Sequence, residues 1–142
     1  MFASAGNGLG RILIINCERG DNLMDMIHKA LTEHRIESAV ILSGIATFDK
    51  INYHYVANRD QIPKEYHVRE TGAFEVSNIS GCILYGEPHI HFTAHDLNQK
   101  RTISAHLEAE TTVLYVAELV IAEILNLAAF TRVNYPDKVI LS

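Results

Sequence analysis

The stretch Gly86-Glu87-Pro88-His89-Ile90-His91-Phe92-Thr93-Ala94-His95, answered after a polar turn by Ser104-Ala105-His106-Leu107, reads as a β-hairpin carrying a cluster of imidazoles. Strand side chains alternate between faces, so His89 and His91 point the same way. A hairpin centred on Asn98-Gln99 sets His106 directly across from His91. Their β-carbons then lie roughly 4.5–5.5 Å apart, with His89 on the diagonal at roughly 7–8 Å. Three imidazoles converge on one patch of sheet. That geometry suits a tetrahedral divalent metal held by three His nitrogens at roughly 2.0–2.1 Å, with one position open. Zinc is the first expectation, since imidazole also suits copper, nickel and iron and affinity alone does not select among them. A lone His-x-His is common and weak; the register across the turn gives this one its weight. His95 shares the parity but lies roughly 13 Å further along the strand and is expected to face solvent or pack on the turn.

Eight histidines are a compositional excess for a chain of 142 residues, which is long enough for one domain with a real core. Twelve Lys and Arg against seventeen Asp and Glu leave a charge of −5, the wrong sign for non-specific binding to nucleic acid or an anionic membrane, a local basic patch aside. Two cysteines, Cys17 and Cys82, make no disulfide framework and point to a reduced, intracellular setting. The N-terminus lacks the cationic start and apolar core of a signal peptide. The most apolar stretch, 113–130, is interrupted by Glu118, Glu123 and Asn126, which argues against a membrane span. A cytoplasmic protein is the expectation.

Along the chain, residues 1–10 read as a flexible lead-in and 11–142 as a single domain. The β-branched run 11–17 is a buried first strand, and Asp21-Asn22 supplies a helix N-cap. Leu23, Met26 or Ile27, Ala30 and Leu31 fall at helical spacing, which predicts a helix over 23–34. A short strand over 38–43 is expected to end at Gly44, with a half-buried strand over 48–56 placing Tyr53 and Tyr55 on one face and Asn52 and His54 on the other. After a loop at 58–63, a strand over 65–70 and a turn at Thr71-Gly72 lead into a strand over 74–84. The stretch 111–124 is compatible with helix or strand on period alone. A last hairpin is expected around Pro136-Asp137. The sum is an α+β fold, a mixed, mainly antiparallel sheet with one or two packed helices.

Arg19-Gly20-Asp21-Asn22-Leu23, Ser38-Ala39-Val40 with Ser43-Gly44-Ile45, the 74–81 strand, Pro88-His89-Ile90-His91, His106-Leu107 and Ala117-Glu118-Leu119-Val120-Ile121 occur in the order seen in the PPC ("plants and prokaryotes conserved") domain, also called a domain of unknown function. The chain resembles that family over about residues 10–141. The resemblance implies a fold shared with acetolactate decarboxylase, a trimeric assembly, and a long strand at 111–121. In the decarboxylase a zinc sits on three histidines, and prokaryotic PPC proteins often keep the ones that correspond to His89, His91 and His106. Plant members carry AT-hooks and regulate transcription, and bacterial members bear a predicted DNA-binding label. This chain departs in having no Arg-Gly-Arg-Pro hook, an acidic balance, and Ser104-Ala105 where Gly-Gly is common before the last histidine.

Three functional readings follow. The first is binding of a divalent metal by His89, His91 and His106 for small-molecule binding or catalysis. Its acid or base would come from Glu75, Glu87, Glu108, Glu110 or Glu118; no catalytic residue is singled out. Glu118 in an apolar strand is the most curious of these, with a strand-end or interface ion pair as the plainer account. The second is DNA binding through a basic face of Arg11, Arg19, Lys29, Arg35, Lys100 and Arg101. The third is an oligomeric scaffold with a structural metal. Arg19-Gly20-Asp21 is better explained as a turn and cap than as an anion site. Tyr53, Tyr55, Tyr66 and Tyr115 suit a half-buried sheet or an interface, and the apolar density of 113–130 suits a buried subunit interface.

Overall fold

The computed structural model describes residues 3–130, 132 and 138–141. The chain forms strands β1 (Leu9–Glu18), β2 (Ala39–Val56), β3 (Lys64–Leu84), β4 (Glu87–Asp96), β5 (Arg101–Leu107), β6 (Thr112–Ile124) and β7 (Val139–Leu141) and helix α1 (Leu23–Glu33), which packs against β1 and β6. The strand order is β1-β6-β2-β5-β4-β3-β7, with a further β2–β3 pairing. Because β3 pairs with β2 on one side and β4 on the other, strands β2, β5, β4 and β3 close into a ring. The β2–β5 join consists of two residue pairs, Tyr53↔Leu107 and His54↔His106. Inward-facing Phe48, Ile51, Tyr53, Phe74, Ile90, Phe92 and Leu107 belong to one continuous buried cluster that also takes Leu23, Ile27 and Leu31 of α1. The fold is α+β as expected, with one helix among the described residues.

The helix begins where its cap dictates. Asn22 has extended backbone, and its Oδ1 accepts from the amides of Met24 at 3.1 Å and Asp25 at 3.3 Å. These bonds satisfy two of the donors that a helix start leaves open. Asn22→Ala is expected to lower stability by about 1 kcal/mol, read as a lower urea midpoint at unchanged slope. An unmoved midpoint would show that water replaces the cap at no cost.

Two punctuation marks in the sequence act differently from expectation. Gly44 does not end a strand, since β2 runs unbroken to Val56. A β-carbon at Gly44 would meet the Ile79 β-carbon at 2.7 Å, so the glycine marks a close approach of β3. Thr71-Gly72 is not a turn either. The β2–β3 register passes from Phe48↔Phe74 to Lys50↔Thr71, inserting one extra residue on β3, so the glycine lies in a bulge of a single long strand.

Residues 112–124 are strand, pairing with β1 on one side and β2 on the other. The apolar density there serves the chain's own core: Val113, Ala117, Leu119, Ile121 and Ala122 are fully buried. Among the exposed apolar side chains are Leu9, Ile12 and Ile14 of β1, Leu42 and Ile45 of β2, and Tyr115 of β6. The hairpin expected at Pro136-Asp137 lies outside the described residues; Val139–Leu141 pairs parallel to Lys64–Tyr66. Among the described residues no helix is long and apolar enough to cross a membrane.

Candidate metal centre

The β4–β5 hairpin sets the register of the imidazoles. Asp96 Oδ1 accepts from the amides of Asn98 at 2.9 Å and Gln99 at 3.0 Å, and Arg101 Nε lies 3.4 Å from its other oxygen. The Gln99 amide, then the Asn98 amide and Arg101, hold this carboxyl below its usual range although burial opposes them. The turn so fixed pairs His91 with His106. Ile90, Phe92, Ala105 and Leu107 alternate into the core, so His89, His91 and His106 project from the outer face. Behind His89, Gly81 has φ +143°, and a β-carbon there would stand 2.1 Å from the His89 carbonyl oxygen. Only glycine lets β3 approach β4 so closely.

One nitrogen from each of His89, His91 and His106 lies within 4.8 Å of the other two. The ring of His106 meets those of His89 and His91 edge-on, at centroid distances of 5.0 and 5.2 Å, while His89 and His91 stack at 5.4 Å. Burial, followed by the neighbouring imidazoles, pushes all three below the usual histidine range, His106 to about 3. A shift in this direction favours the neutral ring, the protonation state that coordination requires. Three neutral nitrogen donors with one open side match the donor set of a His₃ metal site.

Residues 4–125 match the model of the Plants and Prokaryotes Conserved (PCC) domain. The chain belongs to this family. The PCC fold is shared with a plant- and prokaryote-conserved protein of Pyrococcus horikoshii (21% identity, TM-score 0.69, covering 89% of this chain and 95% of that one). It is shared also with a metal-containing protein of Archaeoglobus fulgidus (18% identity, TM-score 0.70, 88% and 86%). A candidate DNA-binding protein of Bacteroides thetaiotaomicron is similar too (17% identity, TM-score 0.67, 94% and 92%). A comparison with curated proteins gives no match.

In this PCC domain the imidazole row is longer than the sequence suggests. His54 of β2 pairs with His106 of β5 on one side and His67 of β3 on the other. His67, His54, His106 and His91 therefore line up across four successive strands of the ring. The His54 ring stacks on His106 at 4.3 Å and on His67 at 4.9 Å. His54 Nδ1 lies 2.5 Å from Glu108 Oε1, and Glu65 stands beyond, 4.0 Å from His54 Nε2 and 3.6 Å from His67 Nε2. A cavity of about 600 Å³ opens onto this row, lined by His54, Glu65, His89, His91, His106 and Lys138 among others.

Of the five carboxylates considered from sequence, only Glu108 meets an imidazole. Glu75 lies across β3–β4 from His95, and Glu87 Oε2 stands 3.9 Å from Arg132. Glu110 faces Lys50 and Arg69. Glu118 is exposed, between Asn16 and Ile45, so the question of a buried charge there does not arise. His95 is exposed, pairing with Thr102. Tyr55 and Tyr66 stack on each other at 5.8 Å, Tyr53 donates to Glu70 at 2.5 Å, and Tyr115 is exposed. Two of the six cations named for a DNA face are engaged in the chain itself: Arg11 with Glu123, and Arg101 with Glu70 and Asp96. His54, Glu65 and His67 escape a reading by motif. Glu65-x-His67 places both on one strand face, but their meeting with His54 depends on the β2–β3 register.

Proposed function

We propose that this PCC-domain protein binds a divalent metal, zinc in the first instance, through His89, His91 and His106, and holds a small molecule in the adjoining cavity. The observation that carries the reading is the convergence of three neutral imidazole nitrogens within 4.8 Å at the cavity. The metal-containing Archaeoglobus protein of the same fold supports it. A metal so held supplies Lewis acidity toward a carbonyl or water in its open position. The chain's own contribution is to orient and enclose: Val56 and Pro63 give apolar wall, and Asp60, Gln61 and Lys138 give polar contacts at the rim. That lining, with both apolar and polar side chains, suits a small, partly polar ligand. The protein assembles as a trimer in this reading, with exposed Ile12, Ile14, Leu42 and Ile45 as the apolar surface that association covers.

Elemental analysis of the purified protein tests the metal directly. About one equivalent of zinc fewer in His89→Ala than in the wild type is the expected result. Protein that stays metal-free after reconstitution sinks the reading, and a gel-shift series with steep salt dependence would then support the DNA-binding alternative.

A further inference from the structure

The second group of donors lies beside the first and shares no residue with it. One ring nitrogen each of His54 and His67 and a Glu65 carboxylate oxygen fall within 4.8 Å of one another. Glu65 is only 8% exposed, and its Oε2 makes no directed hydrogen bond. His67 Nε2 is likewise buried without a hydrogen-bond partner. Were this an ordinary His–Glu pair, the ring would donate to the carboxylate at about 2.7–2.9 Å. It stands 3.6 Å away instead. A cation between the two would satisfy the unpartnered His67 nitrogen, whose burial otherwise costs free energy, and would take the place at Glu65 Oε2 that the Lys138 ammonium holds at 2.8 Å.

Two further contacts fit a cation. Glu108 sits 2.5 Å from His54 Nδ1, where a carboxylate selects the tautomer that leaves Nε2 with a free lone pair. Lys138 Nζ approaches Glu65 Oε2 to 2.8 Å, so a positive charge already stands at the place a metal would take. With Glu65 as ligand and Glu108 behind His54, two negative charges balance a divalent ion. Two imidazoles and one carboxylate form a donor set used for zinc, and one that favours first-row transition metals over magnesium or calcium.

We propose that His54, Glu65 and His67 form a second transition-metal site, occupied when the Lys138 ammonium is displaced from Glu65. It is separate from the His89, His91 and His106 reading and does not depend on it. The two triads are joined by the stacked rings of His54 and His106, so the cavity is bordered by one site on β4 and β5 and the other on β2 and β3.

The test is equilibrium dialysis against zinc at pH 7.5, followed by elemental analysis, on the full chain and on His89→Ala, Glu65→Gln, His67→Gln and Lys138→Met, each checked for folding by circular dichroism. The wild type is expected to take up two equivalents and His89→Ala to keep one. Combining Glu65→Gln or His67→Gln with His89→Ala is expected to leave none, and Lys138→Met to tighten the second equivalent severalfold. His67→Gln carries the test should Glu65→Gln fail to fold. A His89→Ala protein that binds no zinc overturns the proposal, as does one whose remaining equivalent survives both Glu65→Gln and His67→Gln. A wild type that binds one equivalent, kept in His89→Ala and lost in Glu65→Gln, supports this site while removing the first.

Discussion

His106→Ala is expected to abolish zinc binding at the triad of His89, His91 and His106 and to erase whatever thermal stabilisation zinc at that triad would give. His106 is the central donor: it faces His91 across the hairpin and touches the rings of both partners. Two imidazoles on one strand remain, and the loss should exceed the roughly 10–100-fold that removal of a mere hydrogen-bonding partner of a ligand costs. At a zinc concentration a thousandfold above its Kd the wild type gains about 4 kcal/mol, or about 10 °C in melting temperature for a chain of this size. The variant should gain close to nothing from that triad. Its metal-free form should melt within a few degrees of the metal-free wild type, because the ring sits on the outer face. Thermal scans of the four species, with and without zinc, check this. A variant that keeps the full shift would move the metal elsewhere in the chain.

Gly81→Ala is expected to destabilise the protein by about 3 kcal/mol and to weaken metal binding at the same time. The added methyl would stand 2.1 Å from the His89 carbonyl oxygen and 2.9 Å from the Ile90 α-carbon. Both are backbone atoms, so no rotamer change relieves the contact. The strand β4 must shift, and His89 shifts with it. Gly86→Ala separates the two costs, because Gly86 also has positive φ, +79°, yet a β-carbon there meets nothing within 4 Å. It should cost only the backbone term, about 1 kcal/mol. Denaturant midpoints and zinc affinities of the two variants, measured side by side, decide the matter. Equal losses would mean that β4 yields at no cost.

What the sequence conveyed was local. The His91–His106 register follows from the two residues being equidistant from Asn98-Gln99, and the helix from an apolar period and an Asn cap; both relations span few residues. Glycine was harder to read. From sequence Gly44 and Gly72 read as a strand end and a turn, whereas the first makes room for Ile79 and the second lies in a bulge. A glycine that terminates and a glycine that admits a neighbour look alike until the neighbour is known. The same limit hid half of the imidazole row. His54 meets His106, 52 positions away, through a strand pairing that no turn announces. Charge was the other blind spot: Arg11 and Arg101 count toward a basic surface in composition, but Glu123, Glu70 and Asp96 engage them in the fold.

The ring of strands is closed at one place by very little. Between β2 and β5 there are two residue pairs, supplemented by the Glu108 amide donating to the Asn52 carbonyl at 2.9 Å. The β3–β4 ladder on the opposite side of the ring runs from Phe74 to Leu84. Local opening follows the thinnest ladder, so this seam separates at lower free energy than the rest of the ring. The triad on β4 and β5 lies on one side of it, and the group on β2 and β3 lies on the other. Metals at both would stiffen two jaws and leave the hinge between them unbound. Only a molecule touching both sides at once would latch it shut, and a ligand held that way would close the wall of the barrel itself.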